Sequence, residues 1–360
     1  MDPALRQIVD RIRAAAADVT LLRLRGGGTK DFFGEAREGE VLDTTSLAGI
    51  SSYEPSELVV TVRAGTPLAE LEALLATEGQ CLAFEPPRFA PGGTVGGMVA
   101  AGLSGPSRAS AGAVRDHLLG AELLNGKAEL LRFGGTVMKN VAGYDVSRVL
   151  AGALGALGLV TEVSLKVLPV APAEATLEFA CDQADALRLL NAWGGQPLPL
   201  HASVWRARDD GAGVLLLRLR GAVAAVEAAC GHLGGQRHSA DAGAACWQSL
   251  RDQQDPWFAP AGAHDLWRVS VPQTAPVLAL PGIAPALVEW HGAQRWYRAT
   301  AEQGAAIRAA ARAHGGHATR FRAAATPRRE PVFEPLSPVL ERIHRALRHE
   351  FDPHGVFSRA

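Results

Sequence analysis

Apolar residues recur at helical spacing near the start of the chain. Leu5, Ile8, Val9 and Ile12 fall on one face between charged neighbours, which predicts a helix over residues 4–17. The run VTLLRL then predicts a strand that ends at RGGGTKDFFG, residues 25–34. A second strand, ELVVTVRAG, sets Leu58, Val60 and Val62 on one face. Thr66 and Pro67 supply an N-cap and a first helical residue for a helix whose apolar face is Leu68, Leu71, Leu74 and Leu75, with Gly79 ending it. LLGAELLNGKAELLRF predicts a hairpin turning at Asn125-Gly126. A short helix near 145–151 follows. In LGLVTEVSLKVLP, alternation points Val163, Leu165 and Val167 inward and Glu162, Ser164 and Lys166 outward.

After Pro169 the pattern changes. APAEATLEFACDQADALRLLNAWG reads as a strand then a helix, and GVLLLRLRGAVAAVEAACGHLG repeats it, predicting an α+β second domain around a largely antiparallel sheet. PLSPVLERIHRALRHEFDPHG predicts an amphipathic helix with Leu340, Ile343 and Leu347 on one side, started by Ser337-Pro338 and stopped by Asp352-Pro353.

Composition narrows the function classes. The chain has 360 residues, 48% of them hydrophobic, with a formal net charge of -1, so it can bury cores for two domains but offers no dominant basic surface for nucleic acid. No unbroken apolar run of membrane-spanning length occurs, and the N-terminus carries acidic residues without an apolar core, which predicts no secretory signal. The scattered Cys81, Cys181, Cys230 and Cys246 form no CxxC pair, which argues against disulfides, a zinc site or an iron–sulfur cluster within the chain and predicts a reducing, cytoplasmic setting.

Three consecutive glycines after a strand exceed what a turn needs, since one suffices for a positive φ and each costs backbone entropy. A loose surface turn is the plain reading. The second cluster, PPRFAPGGTVGGMVAAGLSGPSR (86–108), changes the balance. Two such loops can jointly line a ligand with backbone N–H groups, with Thr29, Thr94 and Ser104 adding short hydroxyls, and a diphosphate suits them. The P-loop's Gly-Lys-Ser/Thr ending is absent. A Rossmann reading gains from RGGG after a strand and Asp43 in VLD, but Asp31 occupies the third glycine position and KDFFGEAREGE is too glycine-broken for the long helix.

RGGGTKDFFG, PGGTVGG, SGPSR, VRDHLLG, KNVAGYD and GALGLVTEVSLKVLP stand in the order found in vanillyl-alcohol-oxidase-type flavoproteins. Over about 20–170 the chain resembles their FAD-binding domain, and within them the FAD-binding E-subunit family of bacterial glycolate oxidase. HGAQRWYR (291–298), HGGHATRFR (314–322) and FEPLSPVLERIHRALRHEFDPHGVF are similar to that family too. The resemblance implies an α+β fold: an FAD-binding domain of two α+β subdomains (1–170), an α+β cap domain (171–322) and a C-terminal helical segment packing back (323–360). By motif, Gly26, Gly27, Gly28 and Thr29 are similar to the pyrophosphate loop, and Pro91, Gly92, Thr94, Val95, Gly96 and Gly97 to the second flavin loop. Ser104, Arg115, Asp116, Gly158 and Val160 match positions near the cofactor. Related enzymes that bind flavin covalently use a histidine in the first loop. Here Thr29-Lys30 stands there, implying non-covalent FAD.

Oxidising a 2-hydroxy acid also needs a carboxylate clamp and a base near the flavin. His314 and His317 are candidates, but Gly315-Gly316 between them reads as a loop, and no metal site is predicted. Lys139, Tyr144 and Asp145 could face the flavin, against the reading of a turn with Asp145 as a helix N-cap. Trp290 and Trp296 read as core or interface aromatics. No residue set is assigned catalysis. The expected protein is therefore the FAD-binding subunit of a glycolate-oxidase-like complex, acting with a catalytic flavoprotein subunit and an iron–sulfur subunit on a small 2-hydroxy acid. QRWYR and TPRRE are expected partner contacts, and any membrane association would run through the partners. The alternatives are a self-sufficient 2-hydroxy-acid dehydrogenase and a scaffold that has lost FAD. The family usually ends in Phe-Asn-Pro-Gly-Arg or similar, whereas this chain ends VFSRA, which puts a flavin contact from the tail in doubt.

Overall fold

The computed structural model describes residues 2–137, 143–208, 212–324 and 331–358. Contacts divide the chain into two units. The first takes in the chain up to Leu103, Gly112–Val170 and the chain from Pro335, and the second holds Ser104–Ala111 and Ala171–Glu334.

In the first unit the opening helix Pro3–Asp18 is capped by the Asp2 carboxylate, which accepts from the Ala4 N–H, and it buries Leu5, Ile8, Val9 and Ile12 as the spacing predicts. Strand Leu22–Arg25 pairs in parallel with Glu40–Asp43. Its other edge is closed from far along the chain: the Leu22 N–H donates to the Val356 carbonyl at 2.7 Å, and the Ser358 N–H to the Leu22 carbonyl at 2.8 Å. Leu22, Leu42 and Phe357 share one core cluster with the opening helix. No helix joins the two parallel strands, and Asp43 accepts from the Thr45 N–H and hydroxyl, so the Rossmann alternative fails on both its helix and its acidic residue.

A five-stranded antiparallel sheet follows, in the order Ile50–Glu54, Val59–Arg63, Leu159–Lys166, Leu118–Leu124, Leu130–Gly134. Helices Leu68–Thr77 and Val95–Ala101 share its core through Leu71, Leu75, Met98 and Val99. Leu159–Lys166 lies in the middle; Ser164, expected outside, is buried and hydrogen-bonded to the Thr61 hydroxyl at 2.9 Å, while Glu162 and Lys166 on its face stay half-exposed. Thr66 is not the N-cap. Pro67 holds that position, and the fully buried Thr66 hydroxyl accepts from the Gly49 N–H at 2.9 Å and donates to the Gly49 carbonyl at 3.1 Å. The hairpin exists, but its turn is wider than Asn125-Gly126. The Asn125 side-chain oxygen accepts from the Lys127 and Glu129 N–H groups, and Ala128 takes the left-handed conformation.

The second unit is an eight-stranded antiparallel sheet. Its order is Gln236–Arg237, Ala173–Ala180, Gly213–Gly221, Leu200–Ala207, Leu287–Glu289, Gln294–Ala299, Asp265–Ser270, His317–Arg322. Leu187 and Leu190, Val226, and Ile307, from helices Gln183–Gly194, Val223–Leu233 and Gly304–Ala313, pack with Trp267 and Val269 of the sheet. Alternation along the strand turns Arg268 to the opposite face. Helix Pro338–Phe351, in the first unit, begins at the Ser337 cap and ends at Asp352 as predicted, but it buries none of its residues.

Candidate functional site

Strand Leu22–Arg25 delivers the chain into a cleft of the first unit enclosing about 880 Å³, part of it open solvent. Gly26–Asp31 form one side, Thr94, Gly96, Gly97 and Ala100 another, and Leu154, Leu157, Gly158 and Val160 an apolar wall. Two of the three glycines in the first loop serve loop-to-loop contact. A Cβ on Gly27 would sit on the Gly92 carbonyl oxygen, and one on Gly26 would collide with the Thr94 hydroxyl. Gly28 has φ +71°, the left-handed region glycine enters without cost. The triplet thus closes the two loops on each other and turns the chain.

The loops differ in how their donors are used. The Val95 N–H donates to the Thr66 carbonyl (3.0 Å), Gly96 to the Ala64 carbonyl (2.7 Å) and Gly97 to the Thr94 hydroxyl (3.2 Å). The N–H groups of Gly26, Gly27, Gly28 and Thr29 meet no acceptor among the described residues. Beside them lies the Lys30 ammonium, 3.5 Å from the Thr29 hydroxyl and 6.0 Å from the Phe89 ring centre. Burial pushes its pKa down to about 8, and no carboxylate pairs with it among the described residues. The neighbouring Asp31 carboxylate is engaged by Arg25 at 2.8 Å. Unspent backbone donors, a half-buried ammonium and an apolar wall fit a ligand with a phosphate-type anion and a flat apolar body.

Of the residues singled out from sequence, Gly26, Gly27, Gly28, Thr29, Thr94, Gly96, Gly97, Gly158 and Val160 line this cleft. Others stand elsewhere. Val95 is in the core and Pro91 is exposed, while Gly92 meets Gly27 through its carbonyl. Arg115 and Asp116 lie on Val114–His117, where the Asp116 carboxylate accepts from the Ala113 N–H at 2.9 Å. Ser104 belongs to the second unit. Asp145 caps helix Val146–Leu150, and Tyr144 is fully exposed. Lys139 and TPRRE lie outside the described residues. His314 ends helix Gly304–Ala313 and His317 opens a strand. No group of three or more potential ligands that could hold a metal occurs among the described residues. Trp290 and Trp296 are buried.

Sequence reasoning missed a cluster in the second unit. Trp290 and His291 are consecutive left-handed residues (φ 54° and 55°), a costly backbone for large side chains. The His291 N–H donates to the Ser203 hydroxyl at 3.0 Å, and its Nε2 lies 3.3 Å from the Ser110 hydroxyl. Its Nδ1 is buried without a partner among the described residues. Burial lowers the His291 pKa to about 4, keeping the ring neutral. The Trp290 indole donates to the Gly105 carbonyl at 3.0 Å under the Arg108 guanidinium, 4.5 Å from the ring centre. Burial, then the charge of Arg108, lowers the Arg268 pKa to about 10. The only advance signal was the position of His291 at the head of HGAQRWYR.

Residues 5–134 match a family described as an FAD binding domain. Along 351 residues the chain is 43% identical to glycolate oxidase subunit GlcE of Escherichia coli (strain K12), covering 98% of this chain and 95% of that one. The chain belongs to this glycolate oxidase subunit family. Glycolate oxidase subunit GlcD of Bacillus subtilis is 31% identical over 165 residues, 45% of this chain and 35% of that protein. A D-lactate dehydrogenase of Anaerostipes hadrus is 30% identical over 131 residues, 36% of this chain and 27% of that one. The solved structure of alkyldihydroxyacetonephosphate synthase superposes with a TM-score of 0.67 at 14% identity, covering 98% of this chain and 74% of that one, which speaks to the fold alone. This GlcE-family chain is an FAD-dependent oxidoreductase with the vanillyl-alcohol-oxidase-type fold expected from its motifs. Among its described residues no helix is long and apolar enough to cross a membrane.

Proposed function

We propose that this chain is the FAD-binding subunit of a glycolate-oxidase-like complex, working with a catalytic flavoprotein subunit and an iron–sulfur subunit on a small 2-hydroxy acid. The observation that carries the cofactor part is the first glycine loop, where four successive N–H groups and Lys30 stand ready for a diphosphate. Near full-length likeness to a glycolate oxidase subunit supports the substrate class and the assembly. When bound, FAD would supply two-electron redox chemistry, with one hydride equivalent and one proton leaving the hydroxyl-bearing carbon and its oxygen. The protein's own share is to bind and orient. Gly26–Thr29 hold the anion, and Gly158 and Val160 wall the cleft. Binding is non-covalent, because Thr29 and Lys30 offer no imidazole or thiol at the loop. Cys81, Cys181, Cys230 and Cys246 form no disulfide among the described residues and come from separate parts of the chain, which supports an onward electron path through partners.

A second reading, the self-sufficient 2-hydroxy-acid dehydrogenase, draws support from one observation. His291 is neutral with an unused Nδ1, and the arginines Arg108 and Arg268 belong to the same unit. A base and a carboxylate clamp would be of these types. Acid precipitation of the yellow protein should release intact FAD, and flavin left in the washed pellet would defeat non-covalent binding. Anaerobic mixing of the FAD-loaded chain with excess glycolate or D-lactate then separates the readings. No bleaching alone, with turnover restored by the partner subunits, is expected. Full reduction at about 10 per second, a typical enzyme rate, would promote the single-chain dehydrogenase.

A further inference from the structure

Residues 351–358 brace two walls of the cleft without lining it. Among the described residues none from 335–358 lines the cleft, whereas Leu24, Arg25, Gly155, Gly158 and Leu159 do. The first wall is the strand that feeds the first glycine loop. Its edge is held by the Leu22 N–H donating to the Val356 carbonyl and the Ser358 N–H donating to the Leu22 carbonyl, and Arg25 of the same strand enters the cleft. The second wall is reached through the hairpin turn. The Gly126 N–H donates to the Phe351 carbonyl at 2.9 Å, and the Phe351 and Phe133 rings stand 6.1 Å apart. A Cβ on Gly126 would collide with the Asp352 carboxylate, and one on Gly158 with the Leu124 carbonyl oxygen, so each glycine marks a close approach. Contact thus runs from Asp352 to Gly126, back along the chain to Leu124 and across to Gly158. Val356 and Phe357 are buried in one cluster with Leu22, Leu124 and Leu159, which ties both walls to the same stretch.

Asp352 joins the two walls. Its Oδ1 accepts from the Val356 N–H and its Oδ2 from the Phe357 N–H, both at 2.9 Å. One carboxylate therefore folds the turn that offers the Val356 carbonyl and the Ser358 N–H to Leu22, while it rests against Gly126. Hydrogen bonds to an ionised acceptor are the stronger kind. We propose that Asp352 is a positioning residue for FAD, holding the glycine-loop strand and the Gly158 wall at the spacing the cofactor requires. The inference rests on the placement of FAD in this cleft made above. The brace has two states. Closed, it holds both walls; open, it frees the edge of Leu22–Arg25 and leaves the first glycine loop without its anchor. FAD binds the closed state, so closing the brace raises FAD affinity, and by linkage bound FAD closes the brace by the same factor. The tail acts on the flavin through Leu22 and Gly158 rather than by lining the cleft.

The test titrates the full chain, stripped of flavin, with FAD by fluorescence quenching. It compares wild type with Asp352→Asn, Gly126→Ala and the two combined. Asparagine keeps one acceptor and turns an amino group toward the other backbone N–H, so FAD affinity should fall about tenfold or more. Circular dichroism and hydrogen exchange of the strand Val59–Arg63 should stay as in wild type. Gly126→Ala pushes on the same carboxylate from the turn and should weaken FAD too, and the double variant should lose less than the product of the single losses. Should Asp352→Asn not fold, Ser358→Pro repeats the test, because proline cannot give Leu22 its N–H while the carboxylate stays intact. Hydrogen exchange reads the coupling in reverse: saturating FAD should slow the Leu22, Phe357 and Ser358 amides about tenfold or more in wild type and much less in Asp352→Asn. Unchanged affinity in a folded brace variant, or brace amides that exchange equally fast with and without FAD, overturns the proposal. So does faster exchange at Val59–Arg63 with FAD affinity spared, the mark of a merely structural role. Gly27→Ala separates this inference from the reading beneath it. If Gly27→Ala weakens FAD and Asp352→Asn does not, the cleft stands and the brace falls; if neither does, both fall.

Discussion

A methyl group at residue 27 has nowhere to go, because the Gly92 carbonyl oxygen already occupies its place. Gly27→Ala should therefore destabilise the first unit by about 1–3 kcal/mol through overpacking and should lower bound flavin, read by thermal melting and FAD content. Gly28→Ala should cost about 1–2 kcal/mol for its left-handed backbone while leaving the loops in contact. A carboxylate at 27 adds charge repulsion to a clash that the neutral methyl already suffers, so steric closure is the primary reason for that glycine. Lys30 makes a pH prediction. Burial holds its pKa near 8, below the usual lysine value, so the free cleft loses this positive charge as pH rises through 8. A bound diphosphate favours the charged form, so FAD affinity should be highest below pH 8. Above it, affinity should fall by up to about tenfold per pH unit until the pKa of the bound form is reached. Fluorescence titration checks this, and Lys30→Met should flatten the profile. The glycines were readable because runs of them are rare. Lys30 was not, since its role depends on which carboxylates fail to face it.

At the scale of elements, the apolar periodicity was legible wherever a segment buries one face. The opening helix, the strand over Val59–Arg63 and the helix from Leu68 follow from side-chain spacing alone. What spacing does not carry is the identity of a neighbour. Ser164 is flanked on both edges and bonded to the Thr61 hydroxyl of the neighbouring strand, so it is buried while Glu162 and Lys166 on the same face stay half-exposed, and alternation misassigns it. Thr66 looks like a cap because it precedes proline, yet its hydroxyl is spent on Gly49, seventeen positions away. Thr66→Val should therefore leave helix content unchanged while costing about 1–3 kcal/mol, chiefly the penalty of a half-buried Gly49 N–H left unmatched, since the Gly49 carbonyl keeps the Arg63 N–H. Circular dichroism with chemical denaturation distinguishes this from the loss of a cap. The cluster around His291 was hidden for a similar reason: two consecutive left-handed residues at Trp290 and His291 leave no mark in the sequence. The exposed stripe of Pro338–Phe351 was legible as a pattern, but the side it presents is set by Phe351 and Asp352, not by the stripe itself.

Across the whole molecule, the chain passes between the two units after residues 103, 111, 170 and 334. Ser104–Ala111, at the end of the second glycine cluster, contributes Gly105, Arg108 and Ser110 to the second unit, so neither unit is one continuous stretch. The strand that leads into the first glycine loop pairs far along the chain, for Leu22 is paired on one edge with Glu40 and on the other with Val356 and Ser358. Contacts between such distant positions form late, because the intervening chain must be gathered first. Removing residues 353–360 should leave the antiparallel sheet of the second unit protected in hydrogen exchange, while the amides of Leu22–Arg25 lose protection and FAD is no longer retained. Synthesis therefore has an order built into it. While the protein is being made, the first glycine loop hangs from a strand with an open edge, and that edge closes only after residue 358 has emerged. Flavin loading then waits on Val356 and Ser358, so the stretch that closes the strand also sets when the first glycine loop can hold its ligand.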